Sequence, residues 1–463
     1  MTDFSGIPGA PQSSDLPSLE ALASDLAAAR YTVDGVADFL GESAAAALGR
    51  DQLVPALLRC REEAAQDAPD PVHVMILLWL AGEDVDRGLL DSAFPRTRAE
   101  GLLALGLLEP AAPEEDAEHA GAAGRLRAAV DLRPYGIADA EPSGGGNGAD
   151  GAHAAGGNGN LWVASDLGAH QRPGVLRHDH VLGIGQASLS LAQLTIRRDV
   201  DRALDLGTGC GIQAFHLLRH ARHVTATDIS ERALAFTRFN LLLNAKALDV
   251  DPQRLPDRVS LRLGSLLEPV AGEQFDLVVS NPPFVITPRG ASDDPEDRFT
   301  YRDGGLAGDG IVAALVSQLE TVLRPGGTAQ MLGNWEIPAG EEENWAERIR
   351  QWLPEGTDAW VIQRETLSPA EYAEMWLRDA AENRDRAEYV ASYAAYLADF
   401  ASRNVGTVGF GSLWLRRRRK PGAAVTPPVP TGFLAAVCAT ALPSVSPQDW
   451  ACFCLPTGSA PHC

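Results

Sequence analysis

The stretch ALDLGTGCGI at residues 203–212 decides how the rest of this 463-residue chain is interpreted. An apolar run ends there in a turn with three glycines, and a helical pattern follows. Further along, VVSNPPF at residues 278–284 has a related form, because an apolar run ends in Asn-Pro-Pro-aromatic. Each motif alone is a weak signal. Together, in this order, they predict one site shared by the ends of two strands.

The composition bounds the class of protein. A chain of 463 residues is longer than one hydrophobic core usually serves, so we expect two or three domains. Hydrophobic residues make up 45% and charged residues 22%, which is ordinary for a soluble globular protein. No apolar run reaches the roughly twenty residues that span a bilayer, and the first residues lack a signal-peptide pattern. Six cysteines do not form a disulfide framework in a chain this long, so we expect a cytoplasmic protein.

The net charge bears on nucleic-acid binding. Sixty-two acidic and 39 basic residues give a formal charge of −23. Nonspecific binding along nucleic acid depends on many contacts between basic side chains and phosphates, so this charge disfavours it. A local basic groove is still compatible with the sequence.

The N-terminal part is predicted to be helical. Residues 1–16 are rich in Gly, Pro and Ser and are predicted to be disordered, followed by a helical domain at 17–124. Two short helices at 84–90 and 96–107, joined by a Phe-Pro turn, suggest a winged-helix-like module. Such a module docks a substrate or serves as a scaffold packed on the next domain. We favour the scaffold, since a fold alone does not give function.

A bridging segment at 125–180 is predicted to link this domain to the next. We interpret residues 130–133 and 162–165 as the two strands of a hairpin. Between them, residues 141–160 are almost wholly Gly, Ala, Asn and Ser, which predicts a disordered insertion.

The segment 181–420 alternates strand and helix patterns, which is typical of a doubly wound α/β domain. The predicted strands are 203–206, 223–227, 259–263, 275–280, 328–332, 358–363 and 409–416. The predicted helices between them are 212–221, 231–244, 310–322 and 342–353. A helical insertion at 368–405 begins with Ser368-Pro369 and carries an aromatic stripe that we assign to the core. Residues 421–463 are predicted to be a low-complexity tail.

A loop at 178–188, HDHVLGIGQAS, precedes the first strand of this domain. His178 and His180 form an HxH pair, but no further ligand follows at a supporting spacing, so we predict no metal site. The glycines favour a flexible loop over the mouth of the ligand site. Ser188 is predicted to cap the helix that follows.

The glycine turn favours a particular cofactor. Glycines at a strand end let the backbone approach a ligand closely, as in dinucleotide-binding domains. Asp205 suits an ammonium group, such as the amino-acid end of S-adenosylmethionine (SAM), and would repel a pyrophosphate. Asp228 closes the next strand, where its carboxylate can accept both ribose hydroxyls. The alternative is that Asp228 only caps the following helix, a role for which Ser230 competes.

The second motif favours a planar nitrogen as the methyl acceptor. A planar NH2 group is a poor nucleophile because its lone pair is delocalised. If its N–H groups donate to the Asn281 side-chain oxygen and the Pro282 carbonyl, the nitrogen is held facing the methyl group. Pro283 and Phe284 would provide a flat wall, and catalysis would be mainly positioning. The structural alternative is an ordinary turn, since Pro-Pro ends strands well.

These motifs resemble class I SAM-dependent methyltransferases of the Asn-Pro-Pro-aromatic type. That type includes DNA and RNA base N-methyltransferases and HemK-like protein-glutamine methyltransferases. NPPFVITP at 281–288, DGGLAGDG at 303–310 and LRPGG at 323–327 are most similar to the eukaryotic and archaeal HemK-like branch. The resemblance covers roughly residues 175–335. It implies a seven-stranded Rossmann-like domain behind the smaller helical domain, with SAM as methyl donor.

The motifs and the resemblance together predict the residues of the site, and the resemblance itself assigns Asp205, Gly207, Gly209, Asp228 and Asn281. The acceptor residues are Asn281, Pro282, Pro283 and Phe284. The cofactor residues are Asp205, Gly207, Thr208, Gly209, Gly211, Asp228, Ile229, Ser265, Leu266 and Asn281. Two of these positions depart from the family: Ser265 stands where an Asp is frequent near the adenine, and Phe284 where glutamine methyltransferases usually have Tyr.

The predicted function is methyl transfer from SAM to a planar nitrogen of a macromolecule. A glutamine side chain of a translation-related protein is slightly favoured, on the motif resemblance and the acidic composition. The alternative is a base amine of rRNA, tRNA or DNA. A third class is a non-catalytic SAM-binding protein, against which Asp205, Asp228 and Asn281 all count. We expect no membrane partner, and the sequence gives no oligomeric state.

Overall fold

A computed structural model describes residues 3–50, 52–111, 124–137, 159–168, 171, 177–288, 305–379, 386–419 and 432–437. The helices are α1 (Leu16–Ala28), α2 (Val33–Leu48), α3 (Val54–Ala64), α4 (Val72–Met75, continued by a π-helical segment Ile76–Leu80), α5 (Arg87–Ala93), α6 (Arg98–Ala104), α7 (Gln186–Leu194), α8 (Ile212–Leu217), α9 (Glu231–Leu243), α10 (Gly310–Val322), α11 (Glu347–Trp352), α12 (Pro369–Asp379) and α13 (Arg386–Ser402). The strands are β1 (Val85–Asp86), β2 (Leu108–Pro110), β3 (Arg125–Ala128), β4 (Asp131–Gly136), β5 (Asn160–Ser165), β6 (Val200–Leu206), β7 (Ala221–Asp228), β8 (Val259–Leu263), β9 (Phe275–Ser280), β10 (Leu323–Pro338), β11 (Thr357–Leu367), β12 (Val405–Arg417) and β13 (Phe433–Val437).

The central sheet has the strand order β13-β11-β12-β10-β9-β6-β7-β8. Strands β8, β7, β6, β9 and β10 run parallel, and β12 lies antiparallel between β10 and β11. The chain enters at β6, adds β7 and β8 on one side, and then crosses to β9 and β10 on the other. At such a reversal the carboxyl ends of the strands leave a crevice for ligands. The predicted Rossmann-like α/β fold is confirmed.

The prediction that residues 421–463 are a low-complexity tail is wrong for one segment. Phe433–Val437 forms β13, an eighth strand that pairs in parallel with β11. Asp358 anchors its start, because Asp358 Oδ1 accepts a hydrogen bond of 2.9 Å from the Gly432 amide. An edge strand such as β11 presents unpaired backbone groups, which favours the addition of an extended apolar segment. The remainder of that predicted tail lies outside the described residues.

The N-terminal domain contains the predicted winged-helix-like succession. Strands β1, β2 and β3 flank α5 and α6 and form an antiparallel sheet of order β1-β3-β2. Trp79 lies at the centre of the core, with ring centroids 5.6 Å from Phe94 and 5.7 Å from Tyr31. One hydrophobic cluster continues from this core into the layer of α8 and α9 on the large sheet. That continuity favours the scaffold interpretation over a detached docking module.

The predicted disorder of residues 1–16 is wrong for residues 3–15, which pack along α9. Phe4 is buried. The Arg238 guanidinium donates to the Ser13 carbonyl and hydroxyl at 2.6 Å each, and Arg232 donates to the Gly9 carbonyl at 2.6 Å. An apolar anchor and carbonyls that satisfy two arginines outweigh the Gly, Pro and Ser composition.

The predicted hairpin strands pair antiparallel as β4 and β5, and they connect the two domains. The Tyr31 hydroxyl donates to the Leu132 carbonyl at 2.8 Å, and the Trp162 indole N–H donates to the Tyr31 carbonyl at 2.6 Å. The predicted Gly-rich insertion, 141–160, falls outside the described residues except for its last two positions.

Asn240 of α9 and Asn244, the C-cap residue of that helix, bind the backbone of β5 as a neighbouring strand would. Asn244 accepts from the Trp162 amide at 2.8 Å and donates to its carbonyl at 2.7 Å. Asn240 accepts from the Ala164 amide at 2.7 Å and donates to the Ala164 carbonyl at 2.9 Å. It also donates to the Cys210 carbonyl at 2.8 Å. The hairpin is thereby tied to the glycine turn.

Replacing Asn240 with alanine is expected to lower the free energy of unfolding by about 3 kcal/mol, because three buried backbone groups lose their partner. Urea denaturation measures this change. Asn344→Ala, at an exposed position, is the matched control and is expected to stay within about 0.5 kcal/mol of the wild type. Equal stability of the Asn240 variant and the wild type would contradict the role assigned to Asn240.

The helical insertion forms α12 and α13, and its aromatic stripe lies at the core as predicted. Tyr372 and Tyr396 are buried, and the other members are partly buried: Met375, Trp376, Tyr389 and Tyr393. Among the helices that the described residues form, none has both the length and the apolar character to cross a bilayer.

Candidate functional site

The glycine turn lies at the carboxyl end of β6, in the crevice of the large sheet. Gly207, Gly209 and Gly211 all have positive φ, at 76°, 56° and 90°. A Cβ at Gly209 would meet no atom of the described residues within 4 Å, so among these residues nothing covers the backbone there. A Cβ at Gly211 would lie 3.1 Å from Thr237 Cγ2, so this glycine is required by packing against α9.

Asp205 holds the turn together from inside. Its Oδ2 accepts hydrogen bonds from the Thr208 hydroxyl at 2.7 Å and the Ala214 amide at 3.0 Å. Its Oδ1 is buried and has no hydrogen-bond partner within the described residues. Burial raises the pKa of Asp205 to about 7, although the two hydrogen bonds act in the opposite direction. The binding of an ammonium group by Asp205 stays a prediction.

Asp228 connects the end of β7 to the glycine turn. Its Oδ2 accepts from the Gly209 amide at 3.0 Å, and its Oδ1 accepts from the Ser230 amide at 2.9 Å. Asp228 is not the cap of α9. That cap is Ser230, whose hydroxyl accepts a hydrogen bond from the Ala233 amide. Burial raises the pKa of Asp228 above its ordinary value. The carboxylate therefore orients the turn from the edge of the crevice.

Apolar side chains surround the ends of β7 and β8. Ile229 is 59% exposed and Leu263 is 41% exposed, which is unusual for large apolar residues at a sheet edge. Leu266 is half-buried with a φ of 46°, and Ser265 is exposed. The Gly264 amide donates to the Asp228 carbonyl at 2.9 Å and brings these residues beside the acidic group. The arrangement can flank a planar ring.

Asn281 follows β9 and lies beside the glycine turn. Leu206 pairs with Ser280 in the sheet, so the residues after them occupy neighbouring strand ends. A Cβ at Gly207 would lie 4.0 Å from the Asn281 carbonyl oxygen. Asn281 Oδ1 is buried and has no hydrogen-bond partner within the described residues. Buried polar atoms are nearly always paired, so this oxygen is an acceptor suited to a ligand donor.

The residues after Asn281 form the wall of the crevice. Pro282 is buried, and Pro283 and Phe284 are half-buried. Phe284 packs against the cluster of α10 and β10, while Ile286 is buried beneath the helical insertion. The structure thus brings the two sequence motifs together at the same edge of the sheet.

The predicted cap at Ser188 is wrong. Helix α7 begins at Gln186 after Gly185, and Ser188 lies in its first turn, where its carbonyl accepts from the Gln213 side chain at 2.8 Å. Within the described part of the chain, no side chain caps the start of α7. The preceding loop is held instead by Asp166, whose Oδ2 accepts from the Val181 amide at 2.7 Å. Among the described residues, no three His, Cys, Asp or Glu side chains are grouped as metal ligands.

Sequence reasoning missed the polar residues of α9 that support the turn. The Thr237 hydroxyl donates to the Gly209 carbonyl at 2.9 Å, and Asn240 donates to the Cys210 carbonyl at 2.8 Å. Both lie on the buried face of a mostly apolar helix. Polar residues three apart on such a face are the signal that points to them.

Two segments of the chain match known protein families. Residues 167–293 match the Methyltransferase small domain, and residues 28–120 match a domain of unknown function, DUF7059. The match to DUF7059 coincides with most of the N-terminal domain. The match to the Methyltransferase small domain contains both strand-end motifs.

The chain is also similar to individual methyltransferases. A ribosomal protein uL3 glutamine methyltransferase from Bradyrhizobium diazoefficiens is 32% identical over 159 residues, which are 33% of this chain and 46% of that protein. A release factor glutamine methyltransferase from Deinococcus radiodurans is 39% identical over 145 residues, 30% of this chain and 48% of that protein. A ribosomal RNA small subunit methyltransferase C from Alcanivorax borkumensis is 27% identical over 183 residues, 39% of this chain and 46% of that protein.

The chain spans just under half the length of each of these relatives. Within that span, the family match and the two glutamine methyltransferases confirm the similarity to HemK-like class I methyltransferases that the motifs predicted.

Proposed function

We propose that this chain is a SAM-dependent methyltransferase that methylates the side-chain amide nitrogen of a glutamine in a protein. The observation that carries the proposal is the Asn281 Oδ1 atom, which is buried beside the glycine turn and has no hydrogen-bond partner among the residues that the structure describes. An amide NH2 group is a donor of the kind this oxygen lacks. The two glutamine methyltransferases similar to this chain support that acceptor over a nucleic-acid base.

The cofactor would lie over the open backbone of the glycine turn. SAM, when bound, supplies the methyl group on a cationic sulfonium. Asp228 would accept hydrogen bonds from its ribose hydroxyls while it holds the Gly209 amide. Ile229 and Leu266 would flank the adenine, and Asp205 Oδ1 would face the ammonium end. The remaining cofactor residues in this proposal are Gly207, Thr208, Gly211, Ser265 and Asn281.

The acceptor would be held by the wall after β9. The glutamine NH2 donates to Asn281 Oδ1 and the Pro282 carbonyl, and Pro283 and Phe284 pack on the flat face of the amide. These contacts fix the nitrogen and direct its lone pair towards the methyl group, which makes catalysis mainly a matter of orientation. The bound cofactor would supply the methyl group, with the electron pair of the broken S–C bond left on its sulfur, and the acceptor nitrogen would lose one proton to solvent as the C–N bond formed.

The partner in this proposal is a protein of the translation machinery, because the similar glutamine methyltransferases are named for a release factor and a ribosomal protein. That partner would place the enzyme in the cytoplasm. The charge of −23 suits a basic protein surface better than a nucleic acid.

Methyl transfer from radiolabelled SAM into a heat-treated cell lysate tests the acceptor class. The lysate is divided after the reaction and treated with protease or with nuclease. We expect the label to be released by protease alone. Release by nuclease alone would replace the proposal with base methylation, and absence of label from both fractions would contradict macromolecular methylation.

A further inference from the structure

The helical insertion packs against the loop that follows Asn281. Its two helices, α12 and α13, share one hydrophobic cluster with that loop and with β12. The cluster consists of Ile286, Tyr372, Ala373, Leu377, Tyr396, Phe400, Val405, Val408 and Phe410. Ile286 is the only loop residue among these buried members, and it lies five positions after Asn281. The insertion therefore forms the support on which the loop rests.

Tyr372 makes the polar contact between insertion and loop. Its hydroxyl accepts a hydrogen bond of 2.8 Å from the Ile286 backbone amide and another of 2.8 Å from Asn334 Nδ2 on β10. The side chain is fully buried, and its ring lies 5.4 Å edge-to-face from Phe400 and 5.6 Å from Phe410, between centroids. A buried tyrosine hydroxyl usually has hydrogen-bond partners, and here one of them is the backbone of the loop that follows Asn281.

The start of α12 is fixed close to Tyr372. Ser368 and Glu371 form a reciprocal capping box, because the Glu371 carboxylate accepts from the Ser368 amide at 2.9 Å and the Ser368 hydroxyl accepts from the Glu371 amide at 3.3 Å. Pro369 occupies the first helical position, as the sequence predicted. The hydroxyl of Tyr372 is thus presented from a rigid first turn.

The far end of the insertion binds Glu336 of β10, which lies beside Gly308 and Asp309. Arg403 donates to both oxygens of Glu336 at 2.7 to 3.1 Å and to Asp399 at 2.7 and 2.8 Å. The Glu336 amide donates to Asp309 Oδ2 at 2.9 Å, and a Cβ at Gly308 would lie 2.9 Å from Glu336 Oε1. Gly308 and Asp309 belong to the second HemK-like motif. The helical insertion therefore contacts the loop of the first motif directly and reaches the second motif through Glu336.

We propose that the helical insertion sets the position of the acceptor loop and that Tyr372 is the positioning residue through which it acts. The Tyr372 hydroxyl holds the Ile286 amide, and the two prolines between Asn281 and Phe284 transmit that position stiffly to Asn281 Oδ1. This inference rests on the proposed function for its catalytic consequence, although the contact itself does not. Tyr372 acts through Asn281 and does not touch the acceptor.

Hydrogen–deuterium exchange of residues 281–288 tests the contact without any substrate. Tyr372→Phe keeps the ring and removes the hydroxyl, so the Ile286 amide is expected to exchange about tenfold faster, the effect of losing one buried hydrogen bond. Tyr393→Phe is the matched control, because its hydroxyl bonds to Glu374 within the insertion at 3.1 Å. Unchanged exchange in the Tyr372 variant would overturn the inference.

Methyl transfer then tests the consequence. Tyr372→Phe is expected to lower kcat about tenfold and leave the Kd of SAM within about twofold. Faster exchange with unchanged kcat would overturn the positioning role, as would a loss of SAM affinity equal to the loss of turnover. If the wild type transfers no methyl group, the proposed function is wrong. Faster exchange in the Tyr372 variant would still support the contact between the Tyr372 hydroxyl and the Ile286 amide.

Discussion

Replacing Asn281 with alanine is expected to lower kcat for methyl transfer by about 10²–10³-fold, the size of effect seen when one positioned polar group is removed from a reacting centre. The Kd of SAM is expected to stay within about twofold. The reason is that Asn281 Oδ1 is a buried acceptor with no partner in the described part of the chain, while the glycine turn keeps its own contacts through Asp205, Asp228 and Thr237. Single-turnover rates and equilibrium SAM binding, measured on the same preparation, separate the two effects.

Asn281→Asp is the matched variant, because its carboxylate retains an oxygen that can accept from an NH2 group. It is expected to keep more activity than Asn281→Ala. Equal activity of the alanine variant and the wild type would remove Asn281 from the acceptor site. A fall in SAM affinity equal to the fall in kcat would show that the Asn281 side chain acts mainly on the cofactor and not on the acceptor.

Replacing Asp228 with alanine is expected to weaken SAM binding about 100-fold, since hydrogen bonds to a charged group contribute roughly 1.5–3 kcal/mol each. The variant loses the carboxylate assigned to the ribose hydroxyls. It also releases the Gly209 amide, which Asp228 Oδ2 holds at 3.0 Å, so the glycine turn relaxes. Isothermal titration with SAM measures the change.

Asp251→Ala controls for the loss of an aspartate that only supports a turn. Asp251 Oδ1 accepts from the Gln253 amide at 2.9 Å, the same local contact that Asp228 makes with Ser230, at an exposed position away from the glycine turn. The control is expected to bind SAM as the wild type does. An unchanged Kd in the Asp228 variant would show that this carboxylate supports the turn without contacting the cofactor.

The sequence predicts the bounds of an element correctly where its local pattern and its burial agree. Strands β8 and β9 and helix α10 begin and end where predicted, because apolar runs there are bounded by turn residues. The two motifs were placed at one sheet edge because parallel strands end together. The alternation of strand and helix patterns is sufficient for this prediction, because it indicates a parallel sheet.

The sequence was insufficient where a tertiary partner decides. Residues 3–15 and β13 lie in segments of low-complexity composition, yet both are fixed by residues distant in sequence. Arg232 and Arg238 bind the carbonyls of Gly9 and Ser13, and β11 pairs with β13. Asp205 was assigned to a ligand by residue type, but the structure commits its Oδ2 to Thr208 and Ala214. Residue type gives the chemistry of a side chain, whereas the fold decides which atoms remain available.

The most direct measurement is the chemical form of the methyl group on the labelled acceptor. An N-methylated glutamine amide is cleaved by acid hydrolysis to glutamate and volatile methylamine, whereas methyl groups on lysine or arginine nitrogens stay on the amino acid. We predict that the label is recovered as methylamine and that mass spectrometry places one added methyl on a glutamine. Label that survives hydrolysis on an amino acid, or that is recovered on a nucleobase, would contradict glutamine methylation by this chain.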